Sequence, residues 1–354
     1  MNIYVLDGLN GIIGIIETFE SVIWNVQYFS QNEFQLITAG TDSNLDLLTE
    51  GKLLVRDEDI TNSDYNNVML IEKIQLDFDI DKGWILTVSG RGLKSILNRR
   101  IVWNQTTISG YAEKCIRQII NDNVINPTNS DRAINNFILG TEQGFTDLTD
   151  IQLLGENIAD WLEEICQLLG FGWDIYISNN KYVFKLYKGT DRSFNQSVVV
   201  PVIFSPEYDN LLSSSYSYNK GNYSNAALIG GEGEGLNKRT ASIGTATGLN
   251  RYESFIDGSS VSSNGEIITV EQYIGLLQQY GQEQLSNQSF IENFEGEIIP
   301  NGVYKINQDY FLGDLVQVVN EKGISAVPRI IEIIYSEDST GTAVIPTFSK
   351  WEVS

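Results

Sequence analysis

Lys73-Ile74-Gln75-Leu76-Asp77-Phe78-Asp79-Ile80-Asp81-Lys82-Gly83-Trp84-Ile85-Leu86-Thr87-Val88 decides the class of this chain. Ile74, Leu76, Phe78 and Ile80 alternate with Lys73, Gln75, Asp77 and Asp79, the period-two pattern of a strand with one apolar face. Asp81-Lys82-Gly83 reads as a turn, and Trp84, Leu86 and Val88 return along the partner strand. Upstream, Val22, Trp24, Val26 and Tyr28 alternate with Ile23, Asn25 and Gln27, and Glu33-Phe34-Gln35-Leu36 follows as the return strand of a second hairpin. Antiparallel hairpins with one apolar face each predict a barrel or sandwich. Asp77-x-Asp79-x-Asp81 also has the spacing that opens a calcium loop. Lys82 and Val88, however, stand where such a loop needs glycine and a bidentate glutamate. The carboxylates read as the wet face of the strand.

Working outward, the period changes near Ser109, a candidate N-cap. Tyr111, Ala112, Cys115, Ile116, Ile119 and Ile120 form one helical stripe, and Ile158, Trp161, Leu162, Ile165 and Leu169 a second. A short strand is expected at Phe137–Leu139. Phe171, Trp173, Ile175 and Ile177 then run to a hairpin turn at Asn179-Asn180, and Tyr182, Phe184 and Leu186 return. Strand patterns resume after Val198-Val199-Val200. They are interrupted by one helix, whose start carries the capping box Thr269-x-x-Gln272 ahead of Tyr273, Leu276, Leu277, Tyr280 and Leu285. Strands are expected at Val303–Ile306, Leu315–Val319 and Arg329–Tyr335, with an apolar tail of Val344, Ile345, Phe348 and Trp351. The expected fold is α+β and predominantly β. Two β-barrel-like domains, residues 1–105 and 199–354 (the latter with a helix at about 269–288), flank a small α+β domain at 106–198.

The stretch Asn219–Gly258 concentrates Gly230, Gly231, Gly233 and Gly235 beside Lys238 and Arg239. Glycine backbone next to basic residues is the setting of a phosphate cradle. Glu232 and Glu234 sit between the glycines and would repel phosphate, and no helical pattern opens after Arg239. The stretch therefore reads as a structural joint between strands of the second barrel, with tight turns at the glycines. In the block that follows, Leu249 and Tyr252 are expected to pack inward, while Arg251 and Glu253 form a charged edge.

Composition narrows the chemistry. The 354 residues carry 23 basic and 46 acidic side chains, a net charge of −23, which opposes binding to nucleic acid or an anionic membrane surface. There is no histidine, which removes the commonest general base and zinc ligand. Cys115 and Cys166 fall in apolar helical patterns and read as small buried hydrophobes. No metal site or cofactor is expected. The N-terminus lacks a basic region and Ile12–Ile16 is too short to span a bilayer, so neither a signal peptide nor stable membrane insertion is expected. The surviving catalytic option is a carboxylate pair such as Asp160 and Glu164, one helical turn apart. It would make the chain a wall-degrading glycosidase or, without catalysis, a sugar-binding component. The bland reading of that pair is a solvated helix edge.

Several blocks, in order along the chain, carry a resemblance. These are Asn32-Glu33-Phe34-Gln35-Leu36, then Gly90-Arg91-Gly92-Leu93-Lys94-Ser95-Ile96-Leu97-Asn98-Arg99-Arg100-Ile101, then Asn225–Gly235 with Gly248-Leu249-Asn250-Arg251-Tyr252-Glu253. Tyr310-Phe311-Leu312-Gly313-Asp314-Leu315-Val316 and Pro346-Thr347-Phe348 complete the set. Together they resemble the phage tail-hub family of ReqiPepy6 Gp37-like proteins, with Asn32 and Ser349 replacing glycines of the family pattern. The resemblance implies a non-enzymatic homotrimeric ring with two barrel domains per chain. Such a ring would match the hexameric tail tube, or distal tail protein, on one side. On the other it would hold a spike, fibre or tape-measure end, in the tail tip or baseplate of a phage or phage-tail-like particle assembled in the host cytoplasm. It assigns structural or assembly roles to Phe34, Arg99, Arg100, Gly230, Gly233, Gly235, Leu249, Arg251, Glu253, Leu312, Gly313 and Asp314. In so acidic a chain, Arg99, Arg100, Arg239 and Arg251 are expected to pair bidentately with carboxylates. A trimer would carry 3 × (−23) = −69, and part of that charge is expected to line the lumen and keep passing DNA from sticking.

Overall fold

The computed structural model describes residues 1–62, 64–263, 265, 267–288, 291–298, 303–323 and 325–349 of the chain. Strands of three residues or more are labelled in chain order. The first block holds β1 (Ile3–Leu6), β2 (Ile12–Ile16), β3 (Ser21–Gln27), β4 (Glu33–Ala39), the short helix α1 (Asp42–Leu47), β5 (Leu53–Arg56), β6 (Met69–Asp79) and β7 (Gly83–Gly92). The middle block holds β8 (Thr106–Tyr111), α2 (Ala112–Ile120), β9 (Phe137–Leu139), β10 (Leu148–Leu153), α3 (Ile158–Leu169), β11 (Gly172–Ser178) and β12 (Lys181–Tyr187). The last block holds β13 (Leu211–Asn219), β14 (Ala226–Gly230), β15 (Thr240–Ile243), β16 (Glu253–Asp257), α4 (Val270–Ser286), β17 (Ile291–Ile298), β18 (Leu315–Val319), β19 (Ile330–Asp338) and β20 (Gly341–Phe348). The fold is predominantly β, as expected.

One large curled sheet dominates, in the order β13-β17-β20-β19-β3-β4-β7-β6-β5-β1-β2. Every neighbouring pair in it is antiparallel. The alternation read in the sequence explains its core face: Val22, Trp24, Phe34, Leu36, Leu86 and Val88 are buried against Phe204, Val316, Val318, Ile333 and Tyr335. The first and last blocks of the chain thus share one core, sealed where β19 pairs with β3 from Asp338↔Ser21 to Glu332↔Gln27. Arg329–Tyr335 and Leu315–Val319 are strands as read, while Val303–Ile306 is irregular apart from a bridge between Ile306 and Tyr310. The expected tail residue Trp351 lies outside the described residues.

The middle block packs in a second core, in which Ile116, Ile119, Ile158, Leu162, Ile165, Phe171, Trp173 and Phe184 meet Leu53, Val55, Leu93 and Leu97 of the first block. The helical stripes bury as read except at their ends, where Tyr111 is the exposed last residue of β8 and Leu169 is half-buried; Cys115 and Cys166 are free and buried within them. Ser109 does not cap α2. It lies in β8, whose backbone groups are taken by the ladder to β10, so the helix starts three residues later at Ala112. Asn157 caps α3 by accepting from the amides of Ala159 and Asp160, and Gly170 ends the helix in the left-handed conformation at φ 68°. Asn179 and Asn180, at φ 49° and 59°, close the β11–β12 hairpin with the two positive φ angles a type I′ turn needs.

A third core belongs to a small module. β15-β14-β16 form a three-stranded sheet covered on one face by α4, and Ala227, Ile229, Ala241, Ile256, Tyr273 and Leu277 are buried between them. The module is carried on β13 and β17, which flank it in the chain and pair with each other. The capping box is formed as read: Thr269 Oγ1 accepts from the Gln272 amide, and Gln272 Oε1 accepts from the Thr269 amide.

Candidate functional site

The segments that join the three blocks converge on Tyr28, just beyond the end of β3. Its ring lies against Gly172 and Gly313, where an added Cβ would come within 2.3 and 2.2 Å of it. Its hydroxyl lies within hydrogen-bond reach of the carbonyls of Gly170 (3.2 Å) and Tyr187 (3.3 Å) and accepts from the Gly189 amide at 3.2 Å. Burial raises the phenol above its ordinary value, so it stays neutral and keeps its proton to donate. Gly313 has φ +94°, and its carbonyl accepts from Arg329 Nη1 at 2.6 Å.

Asp314 completes the joint. Its Oδ1 accepts from the Thr190 amide at 2.7 Å, and its Oδ2 accepts from the Phe311 amide at 3.0 Å and from Arg192 Nε at 2.6 Å. A nearly buried carboxylate is thereby saturated by two amides and a guanidinium, which offsets its desolvation. Leu312 packs against the shared core. Beside the joint lies a cleft of about 620 Å³ whose lining includes Asp59, Asp174, Lys185, Arg192, Phe311 and Tyr335. Its charged residues are already paired: Lys185 with Asp174 at 3.4 Å, and Asp59 with Arg56 at 2.6 Å.

The other singled-out residues fall into different settings. Phe34 is a core residue stacked obliquely on Trp24 at 5.7 Å. Among the described residues, Arg99, Arg100 and Arg251 do not pair bidentately with carboxylates. Arg100 donates to the carbonyls of Arg132 and Arg99, and Arg99 is exposed with no ion pair among the described residues. Arg239 comes no closer than 3.9 Å to Glu232. Arg251 reaches Glu253 through Nε alone, at 2.6 Å, with Nη1 turned to the Ala246 carbonyl at 3.1 Å. Backbone carbonyls compete for these donors. A bidentate pair lies elsewhere, at Arg91 and Glu72, with two bonds of 2.8 Å. Arg91 of β7 lies opposite Leu70, and Glu72 reaches it from the bulge in β6 between Ile71 and Lys73.

Arg251 and Glu253 do form a charged edge, but Leu249 does not pack inward. It is 99% exposed on the single 3-10 turn Gly248–Asn250, and Tyr252 is half-exposed against Tyr223 at 5.1 Å. A turn has no buried face, which is why the inward expectation failed. Gly230, Gly233 and Gly235 serve the link between β14 and β15, strands of the small module's own sheet rather than of the large sheet. Gly233 has φ +94°, and a Cβ there would approach the Asn237 carbonyl to 2.4 Å. Glu232 accepts from the amide and hydroxyl of Ser263 at 2.8 and 2.6 Å. Lys94 was not anticipated. It is fully buried, donates to the carbonyls of Gln27 and Ser30, and burial pulls its ammonium down to about 8.

The most exposed apolar surface is the hairpin that opened the sequence reading. Beyond Leu70, β6 pairs only with β7 among the described strands, leaving the other edge of Lys73–Asp79 open. Ile74, Leu76, Phe78 and Trp84 are 41–62% exposed, and Ile80 at the turn is 89% exposed. By register, Ile74 and Leu76 lie opposite Val88 and Leu86, so this row continues the core face of the sheet past the edge of the core. At the far end of the same sheet β13 is also an open edge among the described strands, and Leu-Leu-Ser-Ser-Ser-Tyr-Ser-Tyr-Asn along it carries no charge. Among the described residues no group of three or more Cys, Asp or Glu is placed to hold a metal ion, and no helix is long and apolar enough to cross a membrane.

Solved structures with the same fold include three tail proteins. The 43 kDa tail protein of prophage MuSo2 from Shewanella oneidensis is 17% identical, with 99% of this chain and 98% of that chain covered at a TM-score of 0.60. A tail protein of Neisseria meningitidis is 16% identical, with 99% and 96% covered at 0.58. Prophage tail protein gp18 of Listeria monocytogenes is 13% identical, with 100% and 96% covered at 0.56. No curated protein matches the chain. The family model described as Siphovirus ReqiPepy6 Gp37-like protein matches residues 2–349, and the chain belongs to that family of phage tail proteins.

Proposed function

We propose that the chain is a non-enzymatic tail-tip or baseplate hub, three copies of which close into a ring between the tail tube and a distal spike, fibre or tape-measure end. One observation carries this reading: the large sheet contains a run of eight strictly antiparallel strands, β13-β17-β20-β19-β3-β4-β7-β6, with an open edge at each end. In an alternating run of eight, the first and last strands point in opposite directions. β13 of one copy can therefore add beside β6 of the next without breaking the alternation. Such a contact is head-to-tail, and a head-to-tail contact closes into a ring when its rotation is a whole fraction of a turn. It would also cover the exposed row at Ile74, Leu76 and Phe78. Three copies supply three times eight, or twenty-four, strands, enough for an open lumen by the usual scaling of barrel size with strand number.

The face opposite the core would then line the channel. It carries Glu33, Asp77, Asp79, Glu332 and Asp338 against Lys73 and Arg91, with Asn25, Gln27, Gln35, Gln75, Thr87 and Ser89 between them. That wall is polar and mildly acidic with no basic row, which supports a channel that does not hold DNA. The three-domain partition at 105/106 and 198/199 belongs to the same proposal, although the core of the middle block also takes in Leu53, Val55, Leu93 and Leu97 of the first block. A wall-degrading role has little support. Glu163 is held by the Ser30 hydroxyl at 2.6 Å, and Asp160 and Glu164 sit on the exposed side of α3.

The test is cross-linking in assembled particles with Gln75→Cys and Ser215→Cys in one chain and a short bis-maleimide. The native cysteines are buried, so they give little background. A covalent trimer is the expected product. Complete particles yielding only uncross-linked monomer would reject the strand-to-strand seam.

A further inference from the structure

The small module is an arm with its own core, attached through the β13–β17 pair and folded back on the middle block. Where it touches, Gln152 and Ser262 hold each other reciprocally: Gln152 Nε2 donates to the Ser262 carbonyl at 2.8 Å, and the Ser262 amide donates to Gln152 Oε1 at 3.0 Å. Next to that pair, β10 and α3 face α4 across a small cavity of about 30 Å³, lined by Asp150 and Trp161 on one side and Leu276, Tyr280 and Glu283 on the other. Room for a single water remains there. The seam brings carboxylates together from both sides without a cation among its described lining residues. Asp150 comes from β10 and Glu283 from α4, and Glu164 of α3 acts on Glu283 as a further negative charge. The residues that β14 and β15 pack on α4 are apolar: Ala227, Ile229, Ala241 and Ile243. A contact built this way holds best when Glu283 is protonated and weakens when all the carboxylates are ionised.

We propose that this seam is a pH-sensitive latch: the arm docks on the middle block while Glu283 is protonated and loosens about its two-strand stalk as Glu283 ionises. Burial, with Glu164 adding to it, pushes the Glu283 carboxyl up to about 7, while Gln279 hydrogen-bonded to it works in the opposite direction. Glu164 is itself raised, by burial and by Asp160, Glu163 and Glu156. An acid raised on docking binds more protons docked than released between its ordinary value and its raised one. Docking is therefore strongest below about pH 4.5, and its advantage is lost as pH rises through about 7. The full span corresponds to a change in the docking constant of roughly a hundredfold or more.

Hydrogen exchange on the full chain reads this directly, through peptides covering Leu148–Leu153 and Leu276–Ser286 and with rates corrected for intrinsic pH dependence. Protection at the seam is expected to fall at least tenfold from pH 5.5 to pH 8.5, while β3 and β4 keep theirs. Glu283→Gln, which keeps the shape and removes the charge, is expected to stay protected at both pH values. Equal protection of the wild type at both pH values overturns the proposal, as does a Glu283→Gln chain that opens with pH as the wild type does. If that variant misfolds by circular dichroism, Glu164→Gln supplies the second readout: its opening midpoint must move to higher pH, and an unmoved midpoint also overturns the proposal.

Discussion

Gly313 and Asp314 show what a motif means once its partners are known. The run Tyr310–Val316 was visible as a block, but nothing in it pointed to Tyr28, on whose ring Gly313 lies. The joint is long-range, and local patterning carries no information about which distant backbone must pass close by. Gly313→Ala places a Cβ against that ring at a φ of +94° and is expected to destabilise the fold by about 3 kcal/mol. A melting curve unchanged from wild type would show that the packing yields. Lys94 makes a second residue-scale point, because its ammonium is hidden in a motif that reads as helix-like. Its value falls from about 10.5 to about 8 on burial, so below about pH 8 the buried charge weighs against the fold, and that cost is relieved as pH rises toward 10.5. The stability of the wild type relative to Lys94→Met should therefore increase between pH 7.5 and 10 in denaturant titrations; a flat difference would place the ammonium in water.

At the scale of elements, the hairpins, the two helical stripes, the Asn179-Asn180 turn and the Thr269 capping box were legible because each depends on residues near one another in the chain. Thr269→Ala is expected to cost about 1 kcal/mol in the stability of α4. Leu249 and Ser109 were misread for one reason: a periodicity window cannot tell a tight turn or a strand end from the element that follows it. The glycine-rich stretch was rightly a joint, but it serves the small module's own sheet, since no local signal reveals which sheet a strand joins. Gly233→Val combines the strain of a positive φ with a close approach to the Asn237 carbonyl. It should loosen exchange in β14, β15 and α4 while leaving β3 and β4 protected; a uniform change over all of them would mean that the module does not fold as a unit.

For the whole molecule, the apolar row at Ile74, Leu76 and Phe78 is the feature that a single copy leaves unexplained. The sequence identified it as a buried face, and in one copy it is exposed. Both statements hold if a neighbour covers it. A chain carrying 23 net negative charges resists self-association through its charged surface, so an edge of Ser, Tyr and Asn at β13 facing an apolar row at β6 is a low-repulsion place for copies to meet. Phe78→Lys, on an exposed side chain, should leave the melting temperature of the isolated chain within a degree or two while blocking particle completion. The most direct test is a reconstruction of the tail tip in assembled particles that resolves this chain. The account predicts three copies around the axis, with Lys73–Asp79 of each lying antiparallel beside Leu211–Asn219 of the next. A different copy number, or a β6 edge facing solvent in the assembled tip, would contradict it.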